Sequence, residues 1–507
     1  MRVTNAMITK NSMNNMNNNK IKVDYLNNQM STQKKIARPS EDPIVAIRAL
    51  RLRSDLSEIN QYYEKNIPDA EAWLELTETA LKNMKDSLQN IYAQCEYGAT
   101  GTLTEQDRNS ILQEIQASRK QFYNEGNADY AGRTIFTGYK TNSQLTFGAA
   151  EPNTSYDIME KLSFKAIEEK NYYANQVTVP ATAAEVAPGV AVGDMLEKVT
   201  NDRIRLSYAE LDDVAGVKLT QTDASGAQVD LNAPGTTTPL AVTTKSYKDW
   251  AEMDDFAVDD DEVLFIPETG ELIFGKNVSE GLKGDKAEIN VSYTKKGFTD
   301  GEVRPEHYFD CTNTTDPDPA KHIEYKKENQ EIAYMIAFQQ TLVVNTQASD
   351  VFDASVGRDV DELTDTLSAA VAAYDKIATI KGMMGQAQYA DEASQAKLTE
   401  WLEAANKEAD YMDDEVQKLY GKYITKFQGY MTDVSVAMTD LGSKGNRLDL
   451  TKNRVANQQT TFETLKTSNE DRELSDIIID YTSAYMAYEA SLQASAKAQQ
   501  QTLLNYI

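Results

Sequence analysis

A seven-residue repeat of apolar residues at the end of the chain constrains its fold more than any other feature. One series of positions is Leu474, Tyr481, Tyr488, Ser495 and Thr502, and a second, offset by four residues, is Ile478, Tyr485, Leu492, Gln499 and Tyr506. These are the spacings of a and d positions in a coiled coil, and neither Gly nor Pro interrupts the stretch. The repeat therefore predicts one long helix with an apolar seam.

One such seam is too narrow to hold the helix by itself. The free energy gained by burying a single line of apolar side chains falls short of the conformational entropy lost when so long a helix orders. We therefore expect several neighbouring helices, from this chain and from others. The predicted assembly interface includes Leu474, Ile478, Tyr481, Tyr485, Tyr488, Leu492 and Tyr506.

A weaker repeat lies near the N-terminus, in a segment rich in Asn and basic residues. Its apolar positions are Met16, Val23, Leu26 and Met30. Polar Asn19 and Gln33 fill other core positions, so this repeat needs a partner to form a stable helix. We predict that it pairs with the C-terminal repeat, which brings the two ends of the chain together. Its apolar residues are assigned to the same assembly interface.

Helical periodicity continues inward from the N-terminal repeat after a break that contains two prolines, Ala37–Pro43. Ser40 is a suitable N-cap for the helix that follows this break. An unbroken heptad repeat then runs from Leu74 to Cys95, which predicts a buried helix face.

The periodicity changes in the middle of the chain. Residues 146–325 alternate polar and apolar residues between Gly-containing turns, as in Val263–Phe274, a pattern typical of β-hairpins. We expect helices to return after residue 328, beginning with Ile332, Met335 and Phe338. A register slip between Phe462 and Leu474 predicts a stutter or hinge.

These patterns predict a mainly α fold with an inserted β-rich domain, in which long terminal helices form coiled-coil layers and the termini are adjacent. The predicted parts are terminal coiled-coil segments 1–43 with 467–507, a helical rod domain 44–145 with 326–466, and an outer β-rich domain 146–325.

Composition excludes several classes of function. A net charge of −28 argues against nucleic acid as a partner, and no apolar stretch is long enough to span a membrane. The first residues also lack the pattern of a cleaved signal peptide. With two Cys and two His, a metal centre built on those ligands or a His-based triad is not expected, and we predict no cofactor.

Four segments of the chain resemble a known family. Leu26–Pro43, LNNQMSTQKKIARPSEDP, is similar to L-x-x-Q-x-x-[ST]-G-K-[KR]-I-x-x-P-S-D-D-P, and Gly132–Thr141, GRTIFTGYKT, is similar to G-R-x-I-F-x-G-x-x-T. The start, Met1–Asn5, and the C-terminal helix also match in pattern. Together they resemble the flagellin-like axial proteins of bacterial flagella. Gln33 replaces a Gly of the family pattern, and Glu41 replaces an Asp.

The resemblance implies a structural subunit of the extracellular flagellum, exported by the flagellar type III system without a cleaved signal peptide. It implies a place between hook and filament, with hook-associated protein 1, flagellin, copies of itself in a ring and an export chaperone as partners. The terminal helices would form the inner core and the β domain the outer surface.

Two other functions stay open on the sequence. A flagellin filament subunit would share the terminal regions, although GRTIFTGYKT favours the junction subunits. An enzyme housed in the inserted domain could use the acidic run 254–262, as a glycosidase does, or that run could bind calcium. The run lacks the spacing of an EF-hand loop, and we interpret it as a solvated loop.

Overall fold

The computed structural model describes residues 5–100, 105–182, 185–186, 196–214, 216–222, 228–233, 236, 238–253 and 255–500. Its helices are α1 (Asn5–Thr32), α2 (Pro43–Gln61), α3 (Ile67–Gly98), α4 (Glu105–Gly126), α5 (Tyr247–Met253), α6 (Lys276–Asp285), α7 (Ala348–Val351), α8 (Ser355–Met384), α9 (Glu392–Glu470) and α10 (Leu474–Gln500). A single π-helical turn, Tyr62–Asn66, joins α2 to α3 without a break. Long terminal helices are therefore present, as predicted.

The strands lie between α4 and α7. They are β1 (Asp129–Tyr130), β2 (Arg133–Thr134), β3 (Glu151–Ser163), β4 (Glu168–Ala174), β5 (Glu197–Arg205), β6 (Lys218–Thr222), β7 (Gln228–Asp230), β8 (Val242–Thr244), β9 (Val263–Ile266), β10 (Glu271–Phe274), β11 (Glu288–Phe298), β12 (Asp310–Asn313), β13 (Ile323–Tyr325), β14 (Ala333–Ala337) and β15 (Gln340–Val343). The predicted fold class, mainly α with an inserted β-rich domain, is confirmed.

The expected return of helices after residue 328 is wrong. Ala333–Val343 forms the antiparallel hairpin β14–β15, and helices resume only at Ala348. Apolar residues three to four apart suggested a helix, but Gln339 adopts a left-handed backbone conformation with φ +54°. Such a residue closes a tight turn, so the two halves pair as strands instead of continuing as one helix.

The described chain forms two compact units. The first comprises the described residues of 1–71, 333–342 and 444–507, and the second those of 72–332 and 343–443. The three-part division drawn from the sequence remains a prediction.

Two antiparallel-rich sheets dominate the second unit. One has the strand order β4-β5-β10-β9-β8 and the other β13-β12-β3-β11-β6-β7. The predicted hairpin Val263–Phe274 is confirmed as β9–β10, whose residues are all buried. Tyr172, Trp250 and Phe256 pack with Leu264 beneath that hairpin, and this cluster of aromatic rings is the core of the first sheet.

The heptad repeat of α3 is buried, as predicted. Its core positions are Leu74, Thr77, Leu81, Met84, Leu88, Ile91 and Cys95. Cys95 and Cys311 are both free and buried, so neither forms a disulfide in the structure. Burial raises the pKa of each thiol to about 12, which keeps both protonated and unreactive near neutral pH.

A buried ion network joins the first sheet to α8 and α9. Arg203 Nη2 on β5 lies 2.8 Å from Glu168 Oε1 and 2.5 Å from Glu362 Oε1, and it also contacts Glu271 through Nη1. Arg205 pairs with Glu362 at 2.6 Å and with Asp359. Breaking such a network would leave charges buried without partners, which is strongly destabilising.

We predict that this network makes the second unit sensitive to acid. Burial alone would raise the pKa of Glu271, but Lys170 and Arg203 lower it to about 2 from 4.5. The stabilisation, roughly 3 kcal/mol for a shift of this size, is therefore complete above pH 4.5 and lost as the pH falls toward 2. Denaturant titrations monitored by tryptophan fluorescence should show this loss. Glu271→Gln should be less stable at pH 7 and show a flatter pH dependence; an unchanged acid slope would contradict the assignment.

A matched pair of valines on α9 tests the packing. Val434 is 0% exposed, and Val436, two residues away, is 64% exposed. Val434→Ala should lower the free energy of unfolding by about 2 kcal/mol, because buried methyl groups are lost and a cavity remains. Val436→Ala should be neutral or slightly stabilising, by up to about 0.5 kcal/mol, because Ala favours helix. Chemical denaturation followed by circular dichroism distinguishes the two; equal losses would mean that the helix face is assigned incorrectly.

Candidate assembly interface at the terminal helices

The first and last described helices, α1 and α10, pack along each other within the first unit. The covered residues of α1 recur at spacings of three and four and are Thr9, Ser12, Met16, Asn19, Val23, Leu26 and Met30, with Gln29 buried beside Met30. Those of α10 follow the same rule and are Ile477, Tyr481, Ala484, Tyr488, Ser491 and Ser495. This is heptad packing, and it forms between the two repeats that the sequence pairs.

The structure places the predicted interface residues in two groups. Met16, Val23, Leu26 and Met30 of α1, with Tyr481 and Tyr488 of α10, lie on the covered faces. Leu474, Ile478, Tyr485 and Leu492 lie outside the seam and are between 41% and 46% exposed. The first predicted series packs in the seam through Tyr481 and Tyr488. The second series that packs there contains Ile477 and lies three residues after the first, whereas the sequence predicted an offset of four, through Ile478. Tyr506 lies outside the described residues.

The seam itself contains few large buried apolar side chains. Leu26 and Ile477 are fully buried, but several other positions are Ser, Thr, Ala or Asn. Asn19 Nδ2 donates to the Ala487 carbonyl at 3.3 Å, which satisfies a polar group at a core position. A seam of this composition supplies little hydrophobic free energy, so the helix pair is stabilised weakly within one chain.

The four exposed residues form what we call the α10 stripe: Leu474, Ile478, Tyr485 and Leu492. Their spacings of four and seven residues place them on one side of the helix. Tyr485 also stacks on Tyr481 of the seam, with ring centroids 6.0 Å apart. The stripe is therefore a line of exposed apolar side chains beside the seam, and apolar exposure aligned in this way is typical of contact surfaces.

A short non-helical segment between α9 and α10, at the base of the helix pair, coincides with the predicted register slip. We call this segment the break. α9 ends at Glu470 and α10 begins at Leu474. The break is held against the turn that follows α1: Lys35 N donates to the Glu470 carbonyl at 2.7 Å, and Arg472 N donates to the Gln33 carbonyl at 3.0 Å. These bonds satisfy backbone groups that helix ends leave without partners.

Charged side chains reinforce this junction. Glu470 is buried and accepts two hydrogen bonds from Arg53, at 2.7 and 2.6 Å. The hydrogen bond from Arg53 holds the pKa of Glu470 below its usual value. Lys34 pairs with Asp471, and this hydrogen bond raises the pKa of Lys34. The ion pairs therefore fix the turn to the break.

The backbone conformation of Gln33 explains why the family pattern has Gly at this position. Its φ is +54°, in the left-handed region that favours Gly, and the family motif has Gly at this position. The turn therefore keeps its shape without the Gly, at a cost in backbone energy.

The N-cap of α2 differs from the one expected. Asp42 caps the helix, because its Oδ1 accepts from Ile44 N at 3.0 Å and from Val45 N at 3.1 Å, and Pro43 is the first helical residue. Ser40 lies too early in the chain to reach these groups. The Asp-Pro pair was the signal in the sequence that identifies this start.

The first three residues of the motif GRTIFTGYKT lie in a tight hairpin of the second unit. Ala131 and Gly132 both have positive φ, +52° and +77°, which is the geometry of a type I′ turn between β1 and β2. Arg133 lies over the rings of Trp73 and Tyr130, at 5.4 and 5.6 Å from their centroids. The motif therefore has a structural role at the point where α4 gives way to the strands.

Groups that could suggest catalysis or metal binding have structural partners. Ser143 Oγ lies 3.2 Å from His307 Nε2, but burial lowers the pKa of His307 to about 3, so this imidazole is a poor base. In the acidic run, Asp261 accepts from Asn277 at 2.9 Å. Within the described ranges, no group of three or more His, Cys, Asp or Glu side chains is placed to hold a metal ion. The described helices also include none that is long and apolar enough to cross a membrane.

Substitution of Gln33 tests the junction. Gln33→Val should destabilise the first unit by about 1–2 kcal/mol, because a β-branched residue is disfavoured at positive φ. Gln33→Gly should be neutral or stabilising, because relief of strain offsets the greater entropy of Gly in the unfolded chain. Thermal melting of both variants measures the difference, and equal effects would show that this backbone conformation is not maintained in solution.

Comparison with known proteins finds relatives for the N-terminal part of the chain. Residues 3–141 match the bacterial flagellin N-terminal helical region. The chain is 33% identical over 144 residues to flagellar hook-associated protein 3 of Salmonella typhimurium, and 34% identical over 144 residues to the protein of the same name in Escherichia coli. Each match covers 28% of this chain and 45% of the relative, so the chain spans about half the length of the curated relatives it matches.

Solved structures are similar at low identity. Flagellar hook associated protein-3 from Legionella pneumophila is 11% identical, with 82% of this chain and 97% of that chain covered and a TM-score of 0.29. FlgL from Xanthomonas campestris is 12% identical, with 82% and 99% covered and a TM-score of 0.26. At TM-scores this low, neither similarity supports a statement about the fold of this chain. The sequence matches confirm, over the N-terminal part of the chain, its resemblance to the flagellin-like axial proteins, hook-associated protein 3 among them.

Proposed function

We propose that this chain is a structural subunit of the bacterial flagellum that joins the hook, through hook-associated protein 1, to the flagellin filament. One observation carries the proposal. The helix that begins the flagellin-like region, α1, pairs with α10, and this pair leaves the apolar α10 stripe exposed. A structural subunit needs such a surface, because it gains its stability from neighbours.

The composition of the helix pair supports assembly through these termini. Each residue of the stripe is nearly half exposed, so covering it contributes about 1 kcal/mol per side chain. The intrachain seam offers small and polar residues in several of its core positions. Neighbouring copies arranged in a ring would therefore add apolar contacts that one chain does not make for itself. The predicted interface residues on α1 and α10 are proposed to lie at these contacts.

The remaining parts of the proposal follow from the same assignment. The chain is exported to the extracellular flagellum by the flagellar type III system, without a cleaved signal peptide and with the help of an export chaperone. The β-rich strands are placed on the outside of the assembly. The relatives that match are structural flagellar proteins, which supports a role without catalytic turnover.

A flagellin filament subunit is the second candidate, because the matching family model describes the flagellin N-terminal region. Two observations favour the junction subunit. The hairpin motif GRTIFTGYKT resembles the form found in junction subunits, and the two curated relatives are named hook-associated protein 3.

We expect Leu492→Asp to separate folding from assembly. Leu492 is 41% exposed in the single chain, so the substitution should lower its stability by no more than about 1 kcal/mol. In an interface, the carboxylate would be desolvated without a partner, which costs several kcal/mol. Cells that carry this variant should express a normally melting protein, but they should release flagellin into the medium and swim poorly.

Ala494→Asp is a matched control on the same helix. Ala494 is exposed and lies about 200° around the helix from Leu492, on the side that carries Asp476, so its substitution adds the same charge to a side that is already acidic and not to the stripe. It should leave filaments and motility intact. Normal filaments with Leu492→Asp would exclude the stripe as an interface, and a large melting loss in the purified chain would show that the stripe is already packed there.

A further inference from the structure

A second exposed apolar surface lies on α2. Ile44, Ile47 and Leu50 are 75%, 63% and 66% exposed, although they are large aliphatic side chains. Their spacing of three residues places them on one side of the helix, opposite the side that is buried in the first unit. We call this surface the α2 face. Contiguous apolar exposure of this extent marks a contact surface.

The α2 face is flanked by positive charge. Arg48 and Arg51 are exposed beside its aliphatic residues. Residues 5–53 carry nine Lys or Arg and three Asp or Glu, in a chain whose net charge is −28. A surface that complements the α2 face must be apolar, to cover its aliphatic side chains. It must also be acidic, because opposite charges select partners and steer association.

The same chain offers such a surface on α10. Ile479 and Met486 are largely exposed and seven residues apart, on a different side of the helix from the α10 stripe. Asp476 and Asp480 are exposed alongside them, and Asp480 also contacts Arg472. We call these four residues the acidic face of α10. It combines aliphatic side chains with carboxylates, which is the chemistry that the α2 face requires.

We propose that the α2 face of one copy of this chain binds the acidic face of α10 in the next copy. The inference rests on the proposed function, in which copies assemble side by side, and it names a contact separate from the α10 stripe. The two surfaces differ, so the contact is heterologous and runs head to tail, which generates a ring when the rotation closes. The surfaces are small, so the contact forms where neighbours are already held together and not as a stable dimer of free chains.

Engineered cysteines test the contact directly, because the native Cys95 and Cys311 are both buried. The full chain carrying Ile47→Cys and Ile479→Cys together is expressed in cells that lack the native protein. Flagella are isolated, oxidised and analysed on a non-reducing gel. A head-to-tail contact predicts a ladder of covalent multimers for this double variant, and no multimers for either single variant.

The matched control carries Ile47→Cys with Leu492→Cys, which places the second thiol on the α10 stripe. It should give at least tenfold less multimer than the double variant.

Normal filaments without a ladder from the Ile47→Cys, Ile479→Cys chain would overturn the inference and leave the proposed function intact. Dimers from one single variant would also overturn it, because they indicate contact between like faces. A separate variant that lacks α10 but has no cysteine substitutions tests the proposed function. Cells that carry it should lose their filaments, and intact filaments would count against the proposed function.

Charge reversal gives a second, independent measurement. Arg48→Glu with Arg51→Glu in the double-cysteine chain should reduce the ladder at least fivefold, through repulsion from the acidic face. Adding Asp476→Arg should restore part of it. A ladder that is insensitive to the arginines would overturn the electrostatic basis of the contact.

Discussion

The attachment of the turn after α1 to the break between α9 and α10 is the constraint on which the terminal helix pair depends. Backbone bonds from Lys35 and Arg472 join the two segments, and Arg53 and Lys34 neutralise the buried Glu470. Because this junction fixes where α1 ends and where α10 begins, it also fixes their mutual register. The weak seam is then enough to keep the helices paired, since their ends are already held together.

Two different kinds of interaction stabilise the two units. The second unit relies on buried apolar side chains, such as those of the α3 heptads, together with the ion network around Arg203 and Arg205. The terminal helices of the first unit instead keep apolar residues at the surface. Exposed aliphatic side chains cost solubility in a free chain, and they are useful only where a neighbour covers them. This contrast is what an assembling subunit requires.

The sides of α10 differ in what they contact and expose. One side of this helix packs on α1, a second presents the α10 stripe and a third carries Ile479 and Met486 with acidic neighbours. A helix with three apolar sides is normally buried in a core. Here α1 covers one of them, and the other two are left exposed for the contacts with other chains that we propose.

The sequence by itself determined that the ends of the chain are helical, that they pair, that a β-rich domain lies between them and that Val263–Phe274 is a hairpin. These features depend on local periodicity and turn residues, which can be read directly from the sequence. The tertiary structure decided the rest. It put Ile477 and not Ile478 in the seam. The two residues lie about 100° apart around the helix, and the rotation of α10 against α1 decides which line of its broad apolar surface is buried. It made Ala333–Val343 a hairpin, because a left-handed Gln339 permits a tight turn. It also brought Arg203 and Arg205 to carboxylates up to 159 residues away, a pairing of non-local charges that no local pattern encodes.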